Sequence, residues 1–185
     1  MKKKIILIIG LFFVLSSCSE DKDISLAPVA ITLNFSHSWN GTEITSADFD
    51  QLKFTNENGQ TLSIEKLRYL ISEVSMTHES GVTTILDNYK LVDLENNESM
   101  SFQTSEAVLP GDYNSITFRF GFKEEDNIDG AYQDLNTANF NVPEPLGGGY
   151  HFMQFDGKYM NVSSIEAPFL YHVISAIDPT NVNDA

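Results

Sequence analysis

The chain has 185 residues, with 26 acidic and 11 basic side chains, a formal net charge of −15 and a single cysteine. That balance argues against nucleic acid as a partner, because phosphate binding needs a basic surface. One cysteine excludes an internal disulfide framework and a multi-thiolate metal site, so a bound metal would be held by His, Met, carboxylate or backbone groups.

Lys2, Lys3 and Lys4 precede an apolar run, Ile5 to Leu15, too short to remain as a membrane span, so residues 1–17 read as a signal peptide. Cys18 follows directly, and the segment resembles a bacterial lipobox, in which the cysteine becomes the lipidated first residue. Ser19, Glu20, Asp21 and Asp23 make residues 18–27 an acidic tether similar to the surface-export signals of Bacteroidetes lipoproteins. The expected location is the cell envelope, lipid-anchored to the outer membrane and either periplasmic or surface-exposed. Residues 28–185 suffice for one domain with its own core.

Within that domain, Val29, Ile31, Leu33 and Phe35 alternate with polar residues, as in a strand with one buried face, and the phase continues through His37 and Trp39 to a turn at Asn40-Gly41. Leu67, Tyr69, Ile71, Val74 and Met76 predict a further strand, hairpin-linked through Glu79-Ser80-Gly81 to Ile85–Leu94. The spacing Leu67, Leu70, Ile71, Val74 also fits one face of a helix, and the strand is preferred. After Pro110-Gly111, the alternation Ile116, Phe118, Phe120, Phe122 is the clearest strand of the chain. From Lys123 to Pro145 the sequence is polar and acidic and reads as a long loop. A strand from Tyr150 to Phe155, a hairpin turn at Asp156-Gly157 and a short apolar run at Phe169–Ile174 complete the set. Short strands without long amphipathic helices predict an all-β fold, an antiparallel β-sandwich with long connecting loops.

Three of the four histidines lie on apolar strand phases: His37, His151 beside Met153 and Phe155, and His172 beside Leu170 and Ile174. His78 abuts a turn and reads as solvent-facing. One inward imidazole is ordinarily a hydrogen-bonded core residue. Three in a domain without cysteine point to a shared metal, because buried ring nitrogens need partners. Imidazole donors, with Met153 as a soft sulfur, suit copper. Trp39 sits two residues after His37 on the same predicted face, where a core aromatic is the ordinary reading. Glu125, Asn127, Asp129 and Gly130 imitate the opening of a calcium loop, but Asn136 stands where a bidentate glutamate is required, so calcium is only a secondary expectation. The motifs of nucleophilic hydrolases, zinc peptidases, P-loop and dinucleotide enzymes are absent, and no enzyme activity is expected.

The ordered set LRYLISEVSM (67–76), YKLVDL (89–94), LPGDYNSITFRFGF (109–122), GGGYHFMQFDGKY (147–159) and FLYHV (169–173) resembles the MbnP-like family of copper-binding proteins, common as Bacteroidetes lipoproteins. The resemblance implies a β-rich extracytoplasmic domain whose copper ligands match His37, His151 and His172. Some members use an oxidised tryptophan in the copper site, and Trp39 is the only tryptophan here. It also implies further strands beyond FLYHV, whereas this chain stops at Ala185, so a sandwich missing C-terminal strands is expected. Two functions follow as expectations. The first is a copper-binding lipoprotein that stores, buffers or hands copper to a redox or metal-delivery partner. The second is a lipid-tethered surface module that binds glycan or protein through loop aromatics such as Tyr132.

Overall fold

The computed structural model describes residues 27–175, so the signal-peptide, lipidation and most of the tether expectations lie outside the described residues. Its strands are β1 (Val29–Asn34), β2 (His37–Trp39), β3 (Thr42–Ile44), β4 (Phe54–Thr55), β5 (Thr61–Leu62), β6 (Lys66–His78), β7 (Thr83–Asp93), β8 (Ser101–Val108), β9 (Tyr113–Phe120), β10 (Met153–Met160) and β11 (Glu166–Val173), with one short helix, α1 (Gln133–Thr137). All strand pairings are antiparallel, and the fold is an all-β sandwich.

β6 organises the large sheet. β7 lines one of its edges, while β10 and β9 share the other, β10 at Lys66–Tyr69 and β9 from Ile71 onward. The helix-like spacing in this segment has a local cause. Glu73 adopts φ 51° where the pairing register slips, a β-bulge that adds one residue and brings Ile71 and Val74 to the same face. The segment is a strand, and its phase break imitates a helical period.

The inner face of the sheet buries Ile71, Val74 and Leu86 against Ile31 and Leu33 of β1, Phe102 of β8 and Phe35 just past the end of β1. A second inner cluster joins Ile44, Phe54, Leu62, Ile64 and Leu94, flanked by Trp39, Leu67, Phe155 and Phe169. The first strand is broken between Asn34 and His37, so His37 and Trp39 belong to a separate ribbon, β2–β3. Among the described residues, β9 pairs only with β6 and β11 only with β10.

The stretch expected as a loop, Lys123–Pro145, forms a third layer. Leu135 on α1, Phe140 and Tyr150 are fully buried against Leu70 and Phe122 on the outer face of the sheet. Its polar composition hid this, because only a few large apolar residues supply the packing against the sheet. Tyr132 stacks on Phe122 with ring centroids 4.6 Å apart, so it is a packing residue and not a free loop aromatic.

Asp156-Gly157 is not a hairpin turn. β10 runs straight through it, and the turn lies at Asn161–Ser164. A Cβ on Gly157 would stand 2.2 Å from the Ser63 carbonyl oxygen and 2.9 Å from the Phe169 ring, so glycine is there for close approach.

If the outer layer is held by its apolar anchors, Phe140→Ala should destabilise the domain by about 3–5 kcal/mol. Chemical denaturation checks this, and a loss near zero would mean that the layer does not contribute to folding.

Candidate metal centre

β10 lies between β6 and β11 with unbroken register. Met153 is opposite Tyr69 and Val173, and Gln154 is opposite Arg68 and His172. Opposed residues point to the same side, so Arg68, Gln154, Asp156 and His172 share the outer face. Tyr69 and Met153 share the inner one.

His151 joins the outer set. It precedes β10, where the chain is irregular, so the period of two that would align it with Met153 does not reach it. Gly147, Gly148 and Gly149 lead into it with φ of 110°, 68° and 70°, and a Cβ on Gly149 would stand 2.7 Å from the Asn127 carbonyl oxygen. His151 is buried at 6% exposure, with its backbone N–H on the Phe140 carbonyl at 3.0 Å. Its ring meets that of His172 edge-on, centroids 4.8 Å apart. His172 is less enclosed than its apolar phase predicts, its side chain 31% exposed.

The polar groups around this pair form two chains. Arg68 Nε donates to Gln154 Oε1 at 2.6 Å, and its other N–H groups reach the Ala138 and Asn139 carbonyls of the outer layer. Gln154 in turn presents Nε2 to His151 Nδ1 at 3.2 Å, while the Phe140 carbonyl lies 3.1 Å from the same nitrogen. The carbonyl contact is a hydrogen bond when Nδ1 carries the proton and the amide contact when it does not, so either tautomer has a partner. In the second chain, His172 Nε2 donates to Asp156 Oδ1 at 2.8 Å, and Lys66 Nζ lies 3.2 Å from Asp156 Oδ2. Among the described residues, His151 Nε2 and His172 Nδ1 have no hydrogen-bond partner.

His37 is not part of this set. Its Nε2 meets the Tyr69 hydroxyl at 3.0 Å on the inner face, across the sheet from His151 and His172, and its Nδ1 is buried without a partner. Met153 shares that inner face, and Trp39 donates from Nε1 to the Thr55 carbonyl at 3.0 Å while packing on Phe54. The three histidines therefore do not converge. Among the described residues, no group of three or more His, Cys, Asp or Glu side chains is arranged to hold a metal. His78, expected to face solvent, is tied through Nδ1 to the Ser80 hydroxyl at 2.8 Å within its turn.

Two side chains of the expected calcium loop, Glu125 and Asn127, are engaged within the protein. Lys123 lies 3.3 Å from Glu125 and 3.5 Å from Asp126, and Asn127 Oδ1 accepts from the Tyr150 N–H at 2.9 Å.

The sequence reading missed Arg68, Gln154 and Asp156. Gln154 and Asp156 alternate with Met153 and Phe155, the mark of a polar stripe on one strand face, but the assumed turn at Asp156-Gly157 concealed it. What remains for a ligand is two imidazole nitrogens, a donor set that fits copper better than a hard cation. Burial disfavours the charged form of His151 and lowers its pKa. The Phe140 hydrogen bond opposes this, while His172 and Arg68 add to it. His37 is lowered by burial alone.

A family model described as MbnP matches residues 28–184. The structure of MbnP from Methylosinus trichosporium aligns with a TM-score of 0.55 at 10% identity, over 80% of this chain and 63% of that one. The chain thus spans less than two thirds of the length of that relative. No curated protein matches it.

The two lowered histidine pKa values have one sign. As pH falls through about 6.5, the unfolded chain takes up protons that the folded state resists, so their contribution favours folding above that value and is lost below it. The melting temperature of the metal-free protein should therefore decline as pH falls from about 7.5 to about 5.5, a window set by the ordinary imidazole value. The decline should shrink in a His37→Gln/His151→Gln variant, and an equal slope in parent and variant would contradict it.

Proposed function

The chain belongs to the MbnP family, and from that premise we propose that it is an extracytoplasmic copper-binding protein that stores, buffers or hands on copper rather than catalysing a reaction. The observation that carries this reading is the His151–His172 pair, two imidazoles with ring centroids 4.8 Å apart at the rim of the outer layer. His151 supplies a neutral buried ring, and His172 a ring reachable from solvent. Bound copper would be held by one nitrogen of each, as the sequence resemblance proposes for these two residues. His37, on the other face, stands outside the pair. In this reading Cys18 carries the lipid anchor of residues 18–27, and copper passes to or from a partner on the membrane surface. Among the described residues, no helix is long and apolar enough to cross a membrane.

A second reading, a surface module that binds protein or glycan, draws support from Ile116, Phe118 and Phe120 of β9, which are 51%, 58% and 44% exposed.

Purified protein loaded with copper under controlled redox conditions and passed over a desalting column should retain the metal, read by elemental analysis. His151→Ala/His172→Ala should abolish retention and His37→Ala should keep it. Retention unchanged in the double variant, or absent in the parent, would overturn the copper reading, and metal-independent binding to an immobilised glycan panel would favour the second.

A further inference from the structure

We propose that Asp156 is the positioning residue of this site, fixing the proton of His172 on Nε2 so that Nδ1 is the ring's free ligand atom. The inference rests on the copper reading for its consequence, but it concerns a hydrogen bond present in the metal-free protein.

Asp156 lies in the middle of β10 and is 9% exposed, so its carboxylate needs partners to offset the cost of burial. It has one on each side, from the two strands that flank β10. Lys66 of β6 stands directly opposite it in register and approaches Oδ2, and His172 of β11, the diagonal neighbour, approaches Oδ1 at 2.8 Å. An ion pair with Lys66 alone would satisfy the charge without any histidine. The division of the two oxygens between a lysine and an imidazole instead ties the carboxylate to the ring.

A carboxylate only accepts, so the contacting nitrogen must carry the proton, and in the neutral ring the lone pair then resides on Nδ1. A carboxylate on one imidazole nitrogen also makes the other a stronger donor to a metal. His151 differs, since Phe140 and Gln154 offer its Nδ1 a partner in either tautomer. Of the two rings, His172 is therefore the one whose neutral form has a single favoured tautomer, and Asp156 is what sets it.

Side-chain 1H–15N NMR of the metal-free protein at about pH 8.5, two units above the ordinary imidazole value, reads this directly. His172 should show its proton on Nε2 and an exchange-protected signal there, in the parent and in Lys66→Met, which keeps the carboxylate. Asp156→Ala should lose the protection while its backbone amide spectrum stays folded. In a chelator competition its copper affinity should fall about 10–100-fold. A His172 proton on Nδ1 in the parent, or a folded Asp156→Ala protein that binds copper as the parent does, would overturn the proposal. Should Asp156→Ala not fold, the spectra of the parent and of Lys66→Met decide alone. A parent that retains no copper overturns the function proposed above and leaves the His172 spectrum to decide the hydrogen bond.

Discussion

The register of β10 between β6 and β11 is the constraint on which the site depends. Side chains in a strand alternate between faces, so a slip of one residue would exchange the Arg68–Gln154–His172 row for the Tyr69–Met153–Val173 row. The ladder on both edges of β10 prevents that slip. It places two buried polar residues, Gln154 and Asp156, between a strand that supplies Arg68 and Lys66 and one that supplies His172. The same parity sends Tyr69, and with it His37, to the opposite side.

The outer layer makes this face usable. A polar stripe facing water would attract no special geometry, but Leu135, Phe140 and Tyr150 close over the neighbouring surface and exclude solvent from His151. The layer is stitched as well as packed. Tyr150 donates its hydroxyl to Asn136 at 2.8 Å and its N–H to Asn127, while Arg68 binds two carbonyls of the layer and stacks over Phe140 at 5.2 Å. Arg68 thus joins layer to sheet and orients Gln154 at once, which links the stability of the layer to the setting of His151.

Much of the sheet was legible because alternation is a local property of sequence. Leu67–Ile71 and Ile116–Phe120 announced β6 and β9 without any knowledge of partners. β8 was not singled out, since Phe102, Thr104 and Val108 give it only an intermittent buried phase. The bulge at Glu73 was visible as a broken period but open to a helical reading, because the period alone does not reveal a positive φ. For the site, the sequence singled out His151 and His172, and the fold brings them together, one just before β10 and the other on β11. It could not show that His37 faces the other way, since that depends on the break at Phe35–Ser36 and on pairing with β3. Asp156 was lost to a turn rule that holds for Asp-Gly in general and fails where glycine serves close approach to Ser63.

Charge acts at two ranges here. Over the whole chain the net charge of −15 draws cations toward the surface. At the site that field is offset, since Arg68 and Lys66 lie on the same face and both oxygens of Asp156 are engaged. An acidic surface with free carboxylates would collect hard divalent ions without discrimination. Among the groups gathered here, two imidazole nitrogens are left without partners while both Asp156 oxygens are engaged, a set that suits a borderline metal better than calcium or magnesium, which require oxygen donors. Under the copper reading, attraction and selection are therefore separate tasks, the first performed by the acidic chain at large and the second by the few residues that β10 brings to one face.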